Sequence, residues 1–153
     1  METLRRPTGV LVADDDPLIR SILKANLQAI NQDVVLANNG LEAISIASGM
    51  DASLIILDIK MPKLDGVQAC QQIRKLPGYR LTPIVMLTFD DGEKAQEAAS
   101  RAGATMFLVK PFGTATMMLA LSKFLLIDDA TQREIRASAV RAAGGRGISK
   151  MRS

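Results

Sequence analysis

The sequence predicts an α/β fold, a parallel five-stranded sheet with helices on both faces. Three observations predict it. Short apolar runs of strand length alternate five times with segments of helical spacing. The third run, Leu54–Leu57, is uniformly apolar, as expected for a strand buried on both faces. Four of the five runs end in polar residues, namely Asp14-Asp15, Asp58, Thr88 and Lys110. In a parallel sheet the C-terminal strand ends form one rim, where ligands bind.

The first strand is read at about Gly9–Asp14. The first helix follows at about Pro17–Ala29, with Asp16 as its N-cap and Pro17 at the first helical position. Leu18, Ile22, Leu23, Leu27 and Ile30 keep helical spacing. The second strand, Asp33–Ala37, is short and mixed, as an edge strand should be. The second helix covers about Gly40–Ser48. After Leu54–Leu57 comes a loop, Asp58–Gly66, restrained by Pro62 and ending in a glycine of free conformation. The third helix is placed at about Val67–Leu76 and stopped by Pro77-Gly78. The fourth strand is Ile84–Leu87, and the fourth helix, Ala-rich, is about Glu93–Ala102 with Gly103 as its stop. The fifth strand is Met106–Val109 and the fifth helix about Thr114–Leu126. A further helix is expected at about Gln132–Ala143, opened by a capping box between Thr131 and Glu134 and stopped by Gly144-Gly145. Residues 146–153 read as disordered. The division is a domain over 8–126 and a basic C-terminal extension over 127–153.

Composition narrows the chemistry. Hydrophobic content of 48% is ample for a core. The chain has no histidine, which removes imidazole catalysis and histidine metal ligation. It also means the chain cannot itself carry a phosphohistidine. Its one cysteine, Cys70, excludes an internal disulfide and a thiolate-rich zinc site, and reads as a helix packing residue. No secretory signal or membrane-spanning run is visible, so a cytoplasmic protein is expected. The net charge of +3 resides in the extension, where Arg133, Arg136, Arg141, Arg146, Lys150 and Arg152 outnumber Asp128, Asp129 and Glu134.

Asp14, Asp15 and Asp58 on one rim would repel strongly. Like charges about 4 Å apart cost roughly 4 kcal/mol at an effective dielectric near 20, so a cation is expected among them. Carboxylates without sulfur or imidazole select a hard ion, and few protein oxygens are on offer, which favours Mg²⁺ over Ca²⁺. An aspartate beside such an ion can attack phosphorus and form an acyl phosphate. Asp58 is the best nucleophile, because it ends the most buried strand at the middle of the rim. Lys110 offers a point charge, and Thr88 a hydrogen bond, to a phosphoryl oxygen. Taken singly, Thr88 and Lys110 would be ordinary, Asp58 would read equally as a mere strand end or as a nucleophile, and Asp16 reads simply as a helix cap. Lys110-Pro111 is harder to dismiss, since the proline restricts the lysine's backbone at the rim.

Together, VLVADDDP (Val10–Pro17), LIILDIKMPKLDG (Leu54–Gly66), PIVMLT (Pro83–Thr88) and GATMFLVKPF (Gly103–Phe112) resemble the receiver domain of bacterial response regulators. The resemblance covers roughly residues 8–126. It implies a flavodoxin-like, doubly wound sheet of strand order 2-1-3-4-5. It implies that Asp58 accepts a phosphoryl group from a sensor histidine kinase or a histidine phosphotransfer protein. Asp15, Asp58 and the backbone carbonyl of Lys60 would hold Mg²⁺, with Asp14 assisting through water. Thr88 and Lys110 would contact the phosphoryl group, and Phe107 would stand as a switch aromatic coupled to Thr88. Three departures matter. Phe107 replaces a frequent tyrosine, the bulky Phe89 follows Thr88 where small residues are usual, and Lys60 and Asp90 occupy positions that tune dephosphorylation.

The family usually fuses its receiver to an output domain. The 27 residues after Leu126 are too few for an independent core. Output is therefore expected as a surface change on the fourth helix, fifth strand and fifth helix, read by a downstream protein target. The fifth helix is apolar well beyond one stripe (Met117, Met118, Leu119, Leu121, Phe124, Leu125, Leu126), so part of it needs cover from a partner, a homodimer mate or the C-terminal helix. The basic tail reads as a solubilising extension. Docking to nucleic acid through that tail, and a Mg²⁺-dependent aspartyl-phosphate phosphohydrolase, are the competing readings. The first lacks a DNA-binding motif, and the second lacks a substrate cap.

Overall fold

The computed structural model describes residues 6–144. The expected disorder of 146–153 and the stop at Gly145 lie outside the described residues. The chain runs β1 (Thr8–Ala13), α1 (Pro17–Ala29), β2 (Val34–Ala37), α2 (Gly40–Gly49), β3 (Asp51–Asp58), α3 (Gly66–Arg74), β4 (Ile84–Thr88), α4 (Glu93–Ala102), β5 (Met106–Val109), α5 (Thr114–Ser122) and α6 (Asp129–Gly144). The strands are parallel and ordered β2-β1-β3-β4-β5, the expected flavodoxin-like topology.

Strand side chains alternate between two faces. Leu11, Ala13, Ile55, Leu57, Ile84 and Met86 pack toward α2, α3 and α4, where Ala43, Ala47, Ala69, Cys70, Ile73, Ala99 and Ala102 meet them. Val10, Val12, Leu54, Ile56, Val85 and Leu87 pack toward α1 and α5, against Leu23, Leu27, Met117 and Leu121. Burial of the central strands on both faces explains their unbroken apolar runs.

Local signals set most boundaries. Asp16 caps α1 by accepting the Leu18 N–H at 2.9 Å, and Gly103 ends α4 with φ of 100°. The differences have physical causes. β3 begins at Asp51 rather than Leu54, because Asp51 and Ala52 pair with Thr8 and Gly9 across a register shift. α3 starts at Gly66, one residue early, because Asp65 and Gln68 form a reciprocal capping box. α5 ends at Ser122, four residues short of Leu126. Tight turns from Phe124 and Leu125 take the Leu121 and Ser122 carbonyls, and Leu126 is 97% exposed. α6 begins at Asp129, and its cap is Asp128, whose carboxylate accepts the Thr131 N–H at 2.7 Å. Thr131 therefore lies inside the helix instead of capping it.

Tyr79 fastens the base of the sheet to α2. Its buried hydroxyl lies 2.8 Å from the Ala47 carbonyl and 2.6 Å from the Met50 carbonyl, and accepts the Ala52 N–H at 3.1 Å. Tyr79→Phe leaves that buried N–H without a partner. It is expected to lower unfolding free energy by about 1–3 kcal/mol, read from urea denaturation. An unchanged urea midpoint would contradict this role.

Candidate functional site

The strand ends bring the four predicted segments together. Asp14 follows β1, Asp58 ends β3, Thr88 ends β4 and Lys110 follows β5. Ladder pairs Ala13–Leu57, Asp58–Leu87 and Thr88–Val109 hold these ends at one level. Asp14, Asp58, Thr88 and Lys110 are all buried, between 0% and 6% exposed. Asp15 and Lys60 stand exposed at the mouth of the same cleft.

Lys110 is the centre of the polar network. Its Nζ lies 2.9 Å from Asp14 Oδ2 and 3.4 Å from Asp58 Oδ2. Asp14 also accepts the Asp16 N–H at 2.9 Å through Oδ1, and its backbone carbonyl accepts from the Arg20 guanidinium at 2.5 Å. The Lys110 N–H donates to the Thr88 carbonyl at 2.6 Å, which ties β5 to β4 at the rim. Thr88 Oγ1 accepts the Asp90 N–H at 3.0 Å.

The electrostatics follow from burial and crowding. Burial first, and then the neighbouring Asp14 charge, push the Asp58 carboxyl up to about 7, although Lys110 pulls against them. Burial alone would lower Lys110. The hydrogen bond to Asp14 and the charges of Asp58 and Asp14 outweigh it and hold the ammonium above its ordinary value.

One ammonium cannot balance three carboxylates. Asp14, Asp15 and Asp58 each offer an oxygen, and these oxygens lie within 4.8 Å of one another. That donor set fits a hard divalent cation.

The loop after Asp58 is held close. The Gly66 N–H donates to the Ile59 carbonyl at 2.8 Å. A Cβ on residue 66 would collide with the Asp58 carbonyl oxygen, so only glycine fits there.

The other predicted residues are dispersed. Phe89 lines the cleft mouth, is 73% exposed, and sets its ring centroid 5.2 Å from Lys110 Nζ. Asp90 does not line the cleft, and its Oδ1 accepts the Gly92 N–H at 2.8 Å. Phe107 is half-buried on β5, packed against the core on the α2–α3–α4 side. Sequence reasoning missed Ile19, which lines the cleft, and Arg20, which braces Asp14. Neither carries a local signal, since both sit in an ordinary first helical turn.

A family model, the response regulator receiver domain, matches residues 10–122. The transcriptional regulatory protein ResD of Bacillus subtilis (strain 168) is 38% identical over 120 residues, 77% of this chain and 48% of that protein. The transcriptional regulatory protein PdtaR of Mycobacterium tuberculosis (strain CDC 1551 / Oshkosh) is 37% identical over 123 residues, 77% of this chain and 58% of that protein. The chain thus spans about half the length of the curated relatives it matches. Among solved structures, the chemotaxis protein CheY4 of Vibrio cholerae superposes with a TM-score of 0.73 at 32% identity, covering 78% of this chain and 99% of that one. The receiver domain of the sensor histidine kinase PA1611 from Pseudomonas aeruginosa PAO1, solved with a magnesium ion coordinated in its active-site cleft, gives 0.70 at 28% identity. It covers 78% of this chain and 97% of that one.

Proposed function

The chain belongs to the response regulator receiver domain family, and we propose that it accepts a phosphoryl group on Asp58 from a phosphohistidine of a partner. As a receiver it is a phosphoacceptor module of two-component signalling rather than a conventional enzyme. The observation that carries the proposal is Lys110 standing between the buried carboxylates of Asp14 and Asp58 at one strand-end rim.

In the proposed step an Asp58 oxygen attacks phosphorus as the bond from phosphorus to the imidazole nitrogen breaks. The bonding pair stays on the imidazole, which takes a proton from solvent. Such transfer depends on positioning and charge neutralisation more than on covalent help. Lys110, braced by Asp14, meets one phosphoryl oxygen, and the Thr88 hydroxyl donates to another. Asp15, Asp58 and the Lys60 backbone carbonyl would hold Mg²⁺, with Asp14 assisting through water. When bound, the ion neutralises charge on the acid and on the phosphoryl oxygens.

Movement of Thr88 toward the phosphoryl group would shift β4 against β5, where Phe107 pairs with Met86. That couples the rim to the α4–β5–α5 surface, which a downstream protein target would read. The donor is a sensor histidine kinase or a histidine phosphotransfer protein. We assign the receiver to 8–126 and a basic extension to 127–153, place the protein in the cytoplasm, and expect no nucleic-acid partner. Among the described residues, no helix is long and apolar enough to cross a membrane.

Incubation with Mg²⁺ and a small acyl-phosphate donor, read by intact mass, should add one phosphoryl group to the wild type and none to Asp58→Ala. Uptake by Asp58→Ala, or refusal of both acyl phosphate and a phosphohistidine donor by the wild type, would refute the assignment.

Lys60 and Phe89 stand at the cleft mouth and Asp90 flanks it. We assign them to tuning the lifetime of the acyl phosphate. Phe89→Ala should quicken uptake from the small donor severalfold, and Lys60→Ala or Asp90→Ala should raise the dephosphorylation rate. Unchanged rates would remove the residue concerned from this role.

A further inference from the structure

The turn from β1 to α1 carries three consecutive acids, and one basic residue straps it at both ends. The Arg20 guanidinium donates to the Asp14 carbonyl at 2.5 Å, and the Arg20 backbone N–H donates to the Asp16 carbonyl at 3.1 Å. The outer two acids are fixed through their side chains as well. Asp14 meets Lys110 and the Asp16 N–H, and Asp16 accepts the Leu18 N–H. Asp15, between them, is exposed, and among the described residues no hydrogen bond or ion pair holds its carboxylate.

The direction of the Asp15 side chain therefore comes from its backbone. The peptide joining Asp14 to Asp15 contains the carbonyl that Arg20 holds, on a residue that is wholly buried. Rotating that peptide would swing the Asp15 carboxylate away from Asp14 and Asp58, whose oxygens lie within 4.8 Å of its own. Two effects of Arg20 on a cation oppose each other. Its positive charge repels the ion, and its hydrogen bond aims a ligand at it. Arg20 is half-buried on α1 and does not line the cleft, so salt screens the repulsion while the hydrogen bond acts at contact. Groups that orient a ligand from behind typically contribute about 10- to 100-fold in metal affinity, so the aiming effect wins.

We propose that Arg20 is a positioning residue of the cation site, holding the Asp14–Asp15 peptide in the orientation that presents the otherwise untethered Asp15 carboxylate to a divalent ion. Arg20 itself supplies no ligand atom. The inference rests on the reading of Asp15 and Asp58 as cation ligands and adds to it the group that sets the geometry of the first of them.

The test is Mg²⁺ titration calorimetry on the full chain at pH 8, where Asp58, with its carboxyl at about 7, is ionised. Arg20→Met keeps the stem and loses the donor, and should bind Mg²⁺ about tenfold more weakly than wild type. At saturating Mg²⁺, its uptake of a phosphoryl group from a small acyl-phosphate donor should return to the wild-type rate, because ion binding alone is impaired. In the wild type, the Arg20 guanidinium signals in nitrogen–proton NMR should shift on Mg²⁺ addition and saturate with the calorimetric affinity. That measurement decides the matter if Arg20→Met does not fold. A folded Arg20→Met that binds Mg²⁺ as tightly as wild type or more tightly, with only its urea midpoint lowered, would show that Arg20 merely supports the fold and overturn the proposal. So would a slow uptake that persists at saturation, or guanidinium signals indifferent to the ion. A wild type that binds no Mg²⁺ would remove the cation reading together with this one, which tells the two failures apart.

Discussion

Lys110→Met is expected to lower the unfolding free energy by about 3–5 kcal/mol at pH 8 in metal-free buffer. Lys110 is the shared counter-charge of Asp14 and Asp58, and all three side chains are nearly inaccessible to water. Methionine keeps the stem's packing and removes only the charge, so the loss reports the stranded carboxylates. At pH 5 the deficit should shrink, because Asp58, with its carboxyl up at about 7, then carries a proton. Added Mg²⁺ should also narrow it by supplying the missing positive charge. Urea midpoints at the two pH values, with and without Mg²⁺, check this. A loss below about 1 kcal/mol at pH 8 would mean that the pair contributes no more than a surface ion pair does.

Divalent cation affinity should fall about tenfold for each pH unit below 7, because binding must displace the Asp58 proton. Titration calorimetry in buffers of different ionisation enthalpy should show nearly one proton released at pH 6 and almost none at pH 8.5. The same group sets how metal-free stability depends on pH. Its folded value of about 7 lies above its ordinary 3.8, so between these values the folded state holds the extra proton. Its contribution is fully present below about 4 and is lost as pH rises through about 7, with a slope on the order of 1 kcal/mol per pH unit. Asp58→Asn should abolish that slope and leave the protein more stable than wild type at pH 8. A metal affinity independent of pH between 6 and 8 would exclude Asp58 as the titrating ligand.

The rim was legible because its signals are local. Each acid or lysine directly follows an apolar run, and strand alternation carries such end residues to one edge. Phe89 was visible as a bulky residue after Thr88, but its position over the Lys110 ammonium comes from two loops that the sequence does not pair. Asp90 was readable as a neighbour of the site. Its hydrogen bond to the Gly92 N–H, which occupies one carboxylate oxygen, was not. Arg20 looked like any exposed helical arginine until folding placed the Asp14 carbonyl beneath it. The early end of α5 had only a weak local sign, since Ser122-Lys123 is followed by Phe124, Leu125 and Leu126 with no glycine or proline to stop the helix.

By itself the sequence determined the five alternations, the parallel sheet, the two-faced core and the set of residues at the rim, because each depends on spacing within one segment. How far the Asp58 carboxyl is lifted, which carboxylates share Lys110, and that α6 lies against α5 with Gln132 bonded to Ser122 came only with folding. Those depend on distances between segments far apart in the chain, where burial and charge act through space and leave no periodicity to read.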